Sequence, residues 1–182
     1  MSVNHAQFIV YACPVGELNR QIEAYFVRSL KLYGQNSAHQ YMPHCSLTGF
    51  FTAESTSITT YIETLNNAYI AAQNEEVFFD VSIKQLTFND NWHGLELSCD
   101  RLKQLIANFS QDRNLANFST KLRLKDWLHL SLAYDFNSEY DKQLQQLTIE
   151  MIDLKADVSW ELGFYQKNLD WSWECLQSWK II

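Results

Sequence analysis

Apolar positions change their period several times along the chain, and each change marks an element. Residues 7–13 are a β-rich apolar run closed by Pro14 and read as a buried strand. From Gly16 the period becomes helical: Leu18, Ile22, Tyr25, Phe26, Leu30, Leu32 and Tyr33 recur three and four apart until Gly34, a helix stop. A polar connection over 35–40 leads to Pro43, which favours extended backbone before it, and to a strand that opens at His44. Ile58, Tyr61, Ile62, Leu65, Tyr69 and Ile70 form one face of a helix over 55–72. Strands follow over 77–88 and 92–98, paired through the turn signal Asn89-Asp90-Asn91.

The pattern then begins again. Leu102, Leu105, Ile106 and Phe109 predict a helix over 100–115, a strand carries His129, and Tyr140, Leu144, Leu147 and Met151 predict a helix over 138–152. Strands over 158–166 and 171–181 close the chain. The order strand, helix, His-bearing strand, helix, strand therefore occurs twice, and the spacings agree. Phe8 lies 36 residues before His44 and Leu95 lies 34 before His129; Val77 and Val158 follow the two histidines by 33 and 29. A matched order at matched spacing predicts a duplicated α+β fold, with two pseudo-symmetric lobes that each carry an antiparallel sheet and outer helices. With only two prolines and no linker-like stretch, the lobes are expected to pack as one domain over 1–182 with a groove between them.

The two His-bearing strands share a motif. His44-Cys45-Ser46-Leu47 and His129-Leu130-Ser131-Leu132 both read His-x-Ser-Leu, 85 residues apart. On a strand the His and the Ser project to one face, and Cys45, Leu47, Leu130 and Leu132 to the other. Two imidazoles facing one groove suit a reaction in which one removes a proton from an attacking group and the other protonates a leaving oxygen. The hydroxyls of Ser46 and Ser131 can donate hydrogen bonds to a charged oxygen between them. A phosphodiester offers each group its partner: an anion to hold, an alkoxide to protonate and a phosphorus for water to attack. No metal or cofactor is called for, since neither motif carries supporting carboxylates or cysteines. Serine serves better as a binder than as a nucleophile, because no acidic third member accompanies either pair.

Composition narrows the partners. A net charge of −7 argues against sequence-independent binding of a long nucleic acid, although a terminal phosphate needs only a local set of donors. Lys121, Arg123 and Lys125 are the densest basic cluster and are read either as an anion-attracting edge or as a solvated strand edge. No segment approaches the roughly 18 apolar residues of a membrane span, and the start over 1–7 lacks a leader pattern, so a cytoplasmic monomer is expected. Cys13, Cys45, Cys99 and Cys175 have no paired spacing and read as buried free thiols. His5, His39 and His93 have no matched neighbours and read as surface residues; Trp160, Trp171, Trp173 and Trp179 read as core or sheet-face residues.

The paired motifs resemble those of the two-histidine (2H) phosphoesterase superfamily. Within it, Pro43-His44-Cys45-Ser46-Leu47 with Phe50-Phe51, Leu128 to Tyr134, and the later Val158-Ser159-Trp160-Glu161-Leu162 are similar to the 2H domain of the TULA proteins and to the cyclic phosphodiesterases of plants and yeast. The resemblance implies a bilobal fold and metal-independent opening of a 2′,3′-cyclic nucleotide or of the cyclic phosphate at an RNA 3′ end. His44 and His129 match the catalytic histidines, in either assignment of acid and base. Ser46 and Ser131 match the phosphate-holding hydroxyls, and Tyr134 and Tyr11 match aromatic positions lining the groove, where a base could stack. Two other readings stand beside the enzyme: a silent nucleotide- or RNA-end-binding module, and an interaction domain with remnant motifs.

Overall fold

A computed structural model describes residues 5–75, 79–115, 121–168, 170 and 172–181. The predicted strand start at Val77, the position of Trp171 and residues 1–4 lie outside the described residues. The elements run β1 (His5–Gly16), α1 (Glu17–Tyr33), β2 (Cys45–Ser46), β3 (Phe51–Glu54), α2 (Ile58–Gln73), β4 (Ser82–Asn89), β5 (Trp92–Ser98), α3 (Asp100–Ser110), β6 (His129–Tyr134), α4 (Asp141–Met151), β7 (Val158–Lys167) and β8 (Trp173–Ile181).

Among the described residues the eight strands join one sheet in the order β4-β5-β6-β2-β1-β7-β8, with β3 extending the pairing of β1, and every pair is antiparallel. Apart from the edge strand β8, the order is palindromic. Each sequence repeat contributes a first strand (β1, β5) and a motif strand (β2, β6) to its own half, but its last strand crosses over. β4 ends the first repeat and pairs with β5; β7 ends the second and pairs with β1. The helices follow the same rule, α1 packing on α4 and α2 on α3. Cys45 opposite Leu130 pairs β2 with β6 and so joins the expected two sheets into one, and an isolated bridge of Thr48 with Leu124 lies beside it.

The core lies on one face of this sheet. Phe8, Val10 and Ala12 of β1 point into it, with Leu18, Ile22 and Tyr25 of α1, Leu102, Leu105, Ile106 and Phe109 of α3, and Leu144 and Leu147 of α4. Cys45, Leu47, Leu130 and Leu132 are buried in the same core, as the period-two reading of the motifs requires. Gly34 ends α1 with φ +80°, its N–H returning to the Leu30 carbonyl, so the predicted stop holds. Pro14 does not end β1. The pairing with β2 stops at Ala12, so Pro14 sits where that side of the strand has no ladder to lose, and the strand continues to Gly16 against β7.

Candidate active site

The two motifs reach the same place by different routes. The second lies within β6. In the first only Cys45 and Ser46 are strand, because at Leu47 the chain leaves the ladder. The Leu47 N–H still donates to the Val10 carbonyl (2.9 Å), and the buried Thr48 hydroxyl accepts from the Val10 N–H (3.1 Å). Those two bonds keep β1 satisfied while the chain is released toward Phe51. The pairing of Cys45 with Leu130 is antiparallel, so the residues flanking it lie crosswise, His44 opposite Ser131 and Ser46 opposite His129.

All four side chains line one cavity of about 240 Å³, together with Tyr11, Tyr41, Phe50, Trp92 and Tyr134 among others. Both imidazoles are held in the same manner. His44 Nδ1 lies 2.7 Å from the Met42 carbonyl and His129 Nδ1 lies 3.2 Å from the Trp127 carbonyl, in each case two residues back. A carbonyl can only accept, so Nδ1 carries the proton in both rings, which leaves Nε2 of the neutral form to take up a proton. The rings are also packed: His44 against Tyr11 (centroids 4.0 Å apart) and Tyr41 (5.5 Å), His129 stacked on Trp127 (3.9 Å) with the Trp92 edge at 5.2 Å. The Trp92 indole N–H donates to Ser131 Oγ (2.8 Å), so the hydroxyl proton of Ser131 is turned elsewhere.

Burial sets the charge of the site. It lowers the pKa of His44 to about 4 against the opposing pull of the Met42 carbonyl, and nearby His129 lowers it further. His129 is lowered as well, first by burial; its bond to the Trp127 carbonyl and the charge of Glu96 work against that, and Lys125 works with it. Both rings are therefore neutral at pH 7 when no anion lies between them. Tyr134 is half-buried, shares a hydrogen bond with Tyr41, and is pushed up to about 12, mainly by burial.

The six residues singled out in the sequence thus surround one space, but Tyr11 has a different role open to it. Its ring is completely buried, against His44, Tyr165 (5.2 Å) and Trp173 (6.0 Å), so no base can stack on it. Its hydroxyl is buried without a hydrogen-bond partner. Lys121, Arg123 and Lys125 do not line the cavity; their segment is tied to the first motif's loop by Gly49 N–H to the Arg123 carbonyl (2.6 Å) and Lys125 N–H to the Leu47 carbonyl (3.1 Å). His93 is not a surface residue. It is fully buried, with Nε2 2.9 Å from Asp141 Oδ1, and it shares strand parity with the buried Leu95 and Leu97. His39 is half-buried and braces the segment before the first motif: its Nδ1 accepts from the Asn36 N–H (3.1 Å) and its Nε2 meets Ser29 Oγ (2.9 Å). All four cysteines are free, but Cys175 is exposed rather than buried. Tyr41 and Trp92 went unnoticed in the sequence, because each reaches the site through a tertiary contact that no local period encodes.

Among the described residues no three His, Cys, Asp or Glu side chains gather as a metal site, and no helix is long and apolar enough to cross a membrane. No protein-family model matches the chain. It is 25% identical over 170 residues to the human ubiquitin-associated and SH3 domain-containing protein B, a match covering 90% of this chain and 25% of that protein. It is 28% identical to an ecdysteroid-phosphate phosphatase from Bombyx mori, over 89% of this chain and 24% of the relative. The chain thus spans about a quarter of the length of these relatives. Among solved structures, Escherichia coli LigT complexed with ATP has the same fold, with TM-score 0.51 at 12% identity, covering 98% of this chain and 99% of that one. Homologues among the TULA proteins, with a duplicated α+β fold shared with LigT, bear out the resemblance to the 2H phosphoesterases.

Proposed function

We propose that the chain is a metal-independent phosphodiesterase that hydrolyses a 2′,3′-cyclic nucleotide, or the cyclic phosphate at an RNA 3′ end. The observation that carries this reading is the convergence of His44, His129, Ser46 and Ser131 on one cavity, with both imidazoles locked in the same tautomer. The phosphatase named among the relatives and the nucleotide held by LigT support the choice of a phosphate ester. One histidine takes a proton from water as its oxygen bonds to phosphorus. The bond from phosphorus to one ribose oxygen breaks, and the other histidine protonates that oxygen. Ser46 and Ser131 donate to the non-bridging oxygens; because Ser131 already accepts from Trp92, its own proton is the one presented. A phosphate anion between the rings raises the pKa of the one that acts as acid, so its proton is stabilised by the substrate's own charge. Tyr11 offers its unpartnered hydroxyl to the same substrate. Both halves of the site come from one chain, and no step needs a second copy or a metal.

Hydrolysis of a panel of 2′,3′-cyclic nucleotides by the purified protein tests this. His44→Ala and His129→Ala are each expected to lower kcat by roughly 10²- to 10⁴-fold while the protein stays folded, with EDTA leaving the rate unchanged. Near-wild-type turnover in either variant sinks the reading. Tight binding of a nucleoside 2′-phosphate without hydrolysis of any cyclic substrate would point to the silent binding module instead.

A further inference from the structure

The connection from α1 to the first motif opens on Asn36-Ser37-Ala38-His39, a capping sequence with histidine where glutamate or glutamine is usual. Asn36 Oδ1 accepts from the Ala38 N–H (2.9 Å) and His39 Nδ1 accepts from the Asn36 N–H (3.1 Å), which fixes a single 3₁₀ turn at Ser37–Gln40. The other ring nitrogen settles the tautomer. Ser29 Oγ gives its proton to the Phe26 carbonyl (3.2 Å), so at 2.9 Å from His39 Nε2 it accepts, and Nε2 carries the hydrogen. Nδ1 is then bare, as the Asn36 N–H requires. His39 is therefore held neutral, in the tautomer opposite to that of His44 and His129.

What this clasp holds is one wall of the groove. Ala38, Tyr41 and Met42 line the cavity, as does Phe26, whose ring meets that of His39 edge-on at 5.7 Å. The Met42 carbonyl, three residues beyond His39, is the acceptor that orients His44. Two further ties hold the same segment, Ser37 Oγ donating to Asp135 Oδ2 (3.1 Å) and Tyr41 sharing a hydrogen bond with Tyr134, and neither needs an imidazole. His39 is different. A proton added at Nδ1 would face the Asn36 N–H, and because Asn36 is buried that N–H would lose its acceptor at a cost in free energy.

We propose that His39 is a proton-sensitive positioning residue for His44: its neutral ring clasps the 36–42 segment so that the Met42 carbonyl is aimed, and protonation of Nδ1 releases the segment. The inference rests on the catalytic place given to His44 and adds a regulation of it, an acid-side loss of activity that belongs to neither groove histidine. The titratable groups that neighbour the clasp are Arg28 of α1 next to Ser29, Tyr134 and Asp135 at the end of β6, and Tyr41 and His44 downstream; none of them moves His39, whose pKa is lowered by burial. The clasp therefore stays closed at neutral pH and opens only as pH falls below the ordinary histidine value of about 6.5.

Glutamine offers the same two contacts without the titration, an amide oxygen for the Asn36 N–H and an amide N–H for Ser29 Oγ. His39→Gln and His39→Ala are compared with wild type from pH 4 to 7, by hydrogen exchange at the Asn36 amide and by kcat on adenosine 2′,3′-cyclic phosphate. At pH 7 the Gln variant should match wild type in both, whereas the Ala variant should lose roughly 2- to 10-fold in protection of Asn36, the worth of one hydrogen bond, and several-fold in kcat. As pH falls, protection of Asn36 should drop in wild type and hold in the Gln variant, whose kcat should decline later. Coincident acid limbs in wild type and His39→Gln, or full kcat at pH 7 in a folded His39→Ala, overturn the clasp while leaving the diesterase reading intact. A wild-type protein that hydrolyses no cyclic phosphate does the reverse: the diesterase reading falls, and affinity for adenosine 2′-monophosphate replaces kcat in the same comparison, with the same outcomes deciding the clasp.

Discussion

Tyr11 shows how a single hydroxyl separates stability from function. A buried hydroxyl without a partner costs free energy in the folded state, and removing it while keeping the ring relieves that cost. Tyr11→Phe is therefore expected to leave the urea midpoint unchanged or slightly raised while lowering kcat/KM on a cyclic nucleotide by roughly tenfold, the worth of about one hydrogen bond to a charged oxygen. A variant that loses stability and keeps its activity would show that the hydroxyl serves the fold. His44 makes the companion case in pH. In the unfolded chain its ring takes up a proton near the ordinary value of about 6.5, whereas in the folded protein burial delays this to about 4. Between those values the unfolded state binds more protons, so stability is present above pH 6.5 and is lost as pH falls toward 4. His44 should contribute about 1–3 kcal/mol of that loss. Denaturant unfolding of wild type and His44→Gln across pH 4 to 7 checks it: the variant should show the shallower decline, and parallel declines would refute the assignment.

At the scale of elements, the second motif depends on a glycine in the neighbouring strand. Gly94 lies opposite Ser131, and a Cβ there would overlap both the Trp92 ring and the Leu130 carbonyl. The bare backbone is what lets the indole fold across β5 to Ser131. Gly94→Ala is expected to cost about 1–3 kcal/mol through overpacking and to displace Trp92 from Ser131, which a raised KM for the cyclic substrate would report. An unchanged KM in the folded variant would count against the role given to that hydrogen bond. Tyr11 occupies the matching place opposite Ser46, so the halves share a frame and differ in what stands beside each serine. Much of this level was legible in advance. The helical periods located the four described α-helices, and the alternation around His44 and His129 named the buried back of each motif. The period of two would also have buried His93, through its parity with Leu95 and Leu97, had it been followed there. The break after Ser46 was hidden, because the group that replaces the ladder is the hydroxyl of Thr48 bonded to a strand 38 residues earlier. Pro14 misled for a related reason: a strand tolerates proline where it has no neighbour on that side, and neighbours are fixed only by the tertiary fold.

For the whole molecule, the sequence repeat and the spatial half are different objects. Matched order and spacing predicted the duplication, and the groove between halves follows from it. Local pattern does not record which partner a strand chooses, so the exchange of β4 and β7 between halves had no signal in the periods. Within the sheet the halves are joined through Cys45 and Leu130, backed by Gly49 N–H to the Arg123 carbonyl and Lys125 N–H to the Leu47 carbonyl, and the pair lies at the centre of the crosswise quartet. Small shifts of one half against the other are thereby transmitted to the separation of the two imidazoles, the quantity on which shared proton transfer depends.

The palindromic strand order has a further meaning. Two identical copies of one repeat, each lending its last strand to the other, would form a symmetric strand-swapped dimer with two equivalent motifs at its axis. The present chain has that strand arrangement, β3 and β8 apart, with its two repeats joined through Asn89 to Asn91, and a single chain allows its halves to differ. One half could then set a tyrosine beside its serine while the other set a glycine crossed by a tryptophan, an asymmetry that a dimer of identical chains cannot hold.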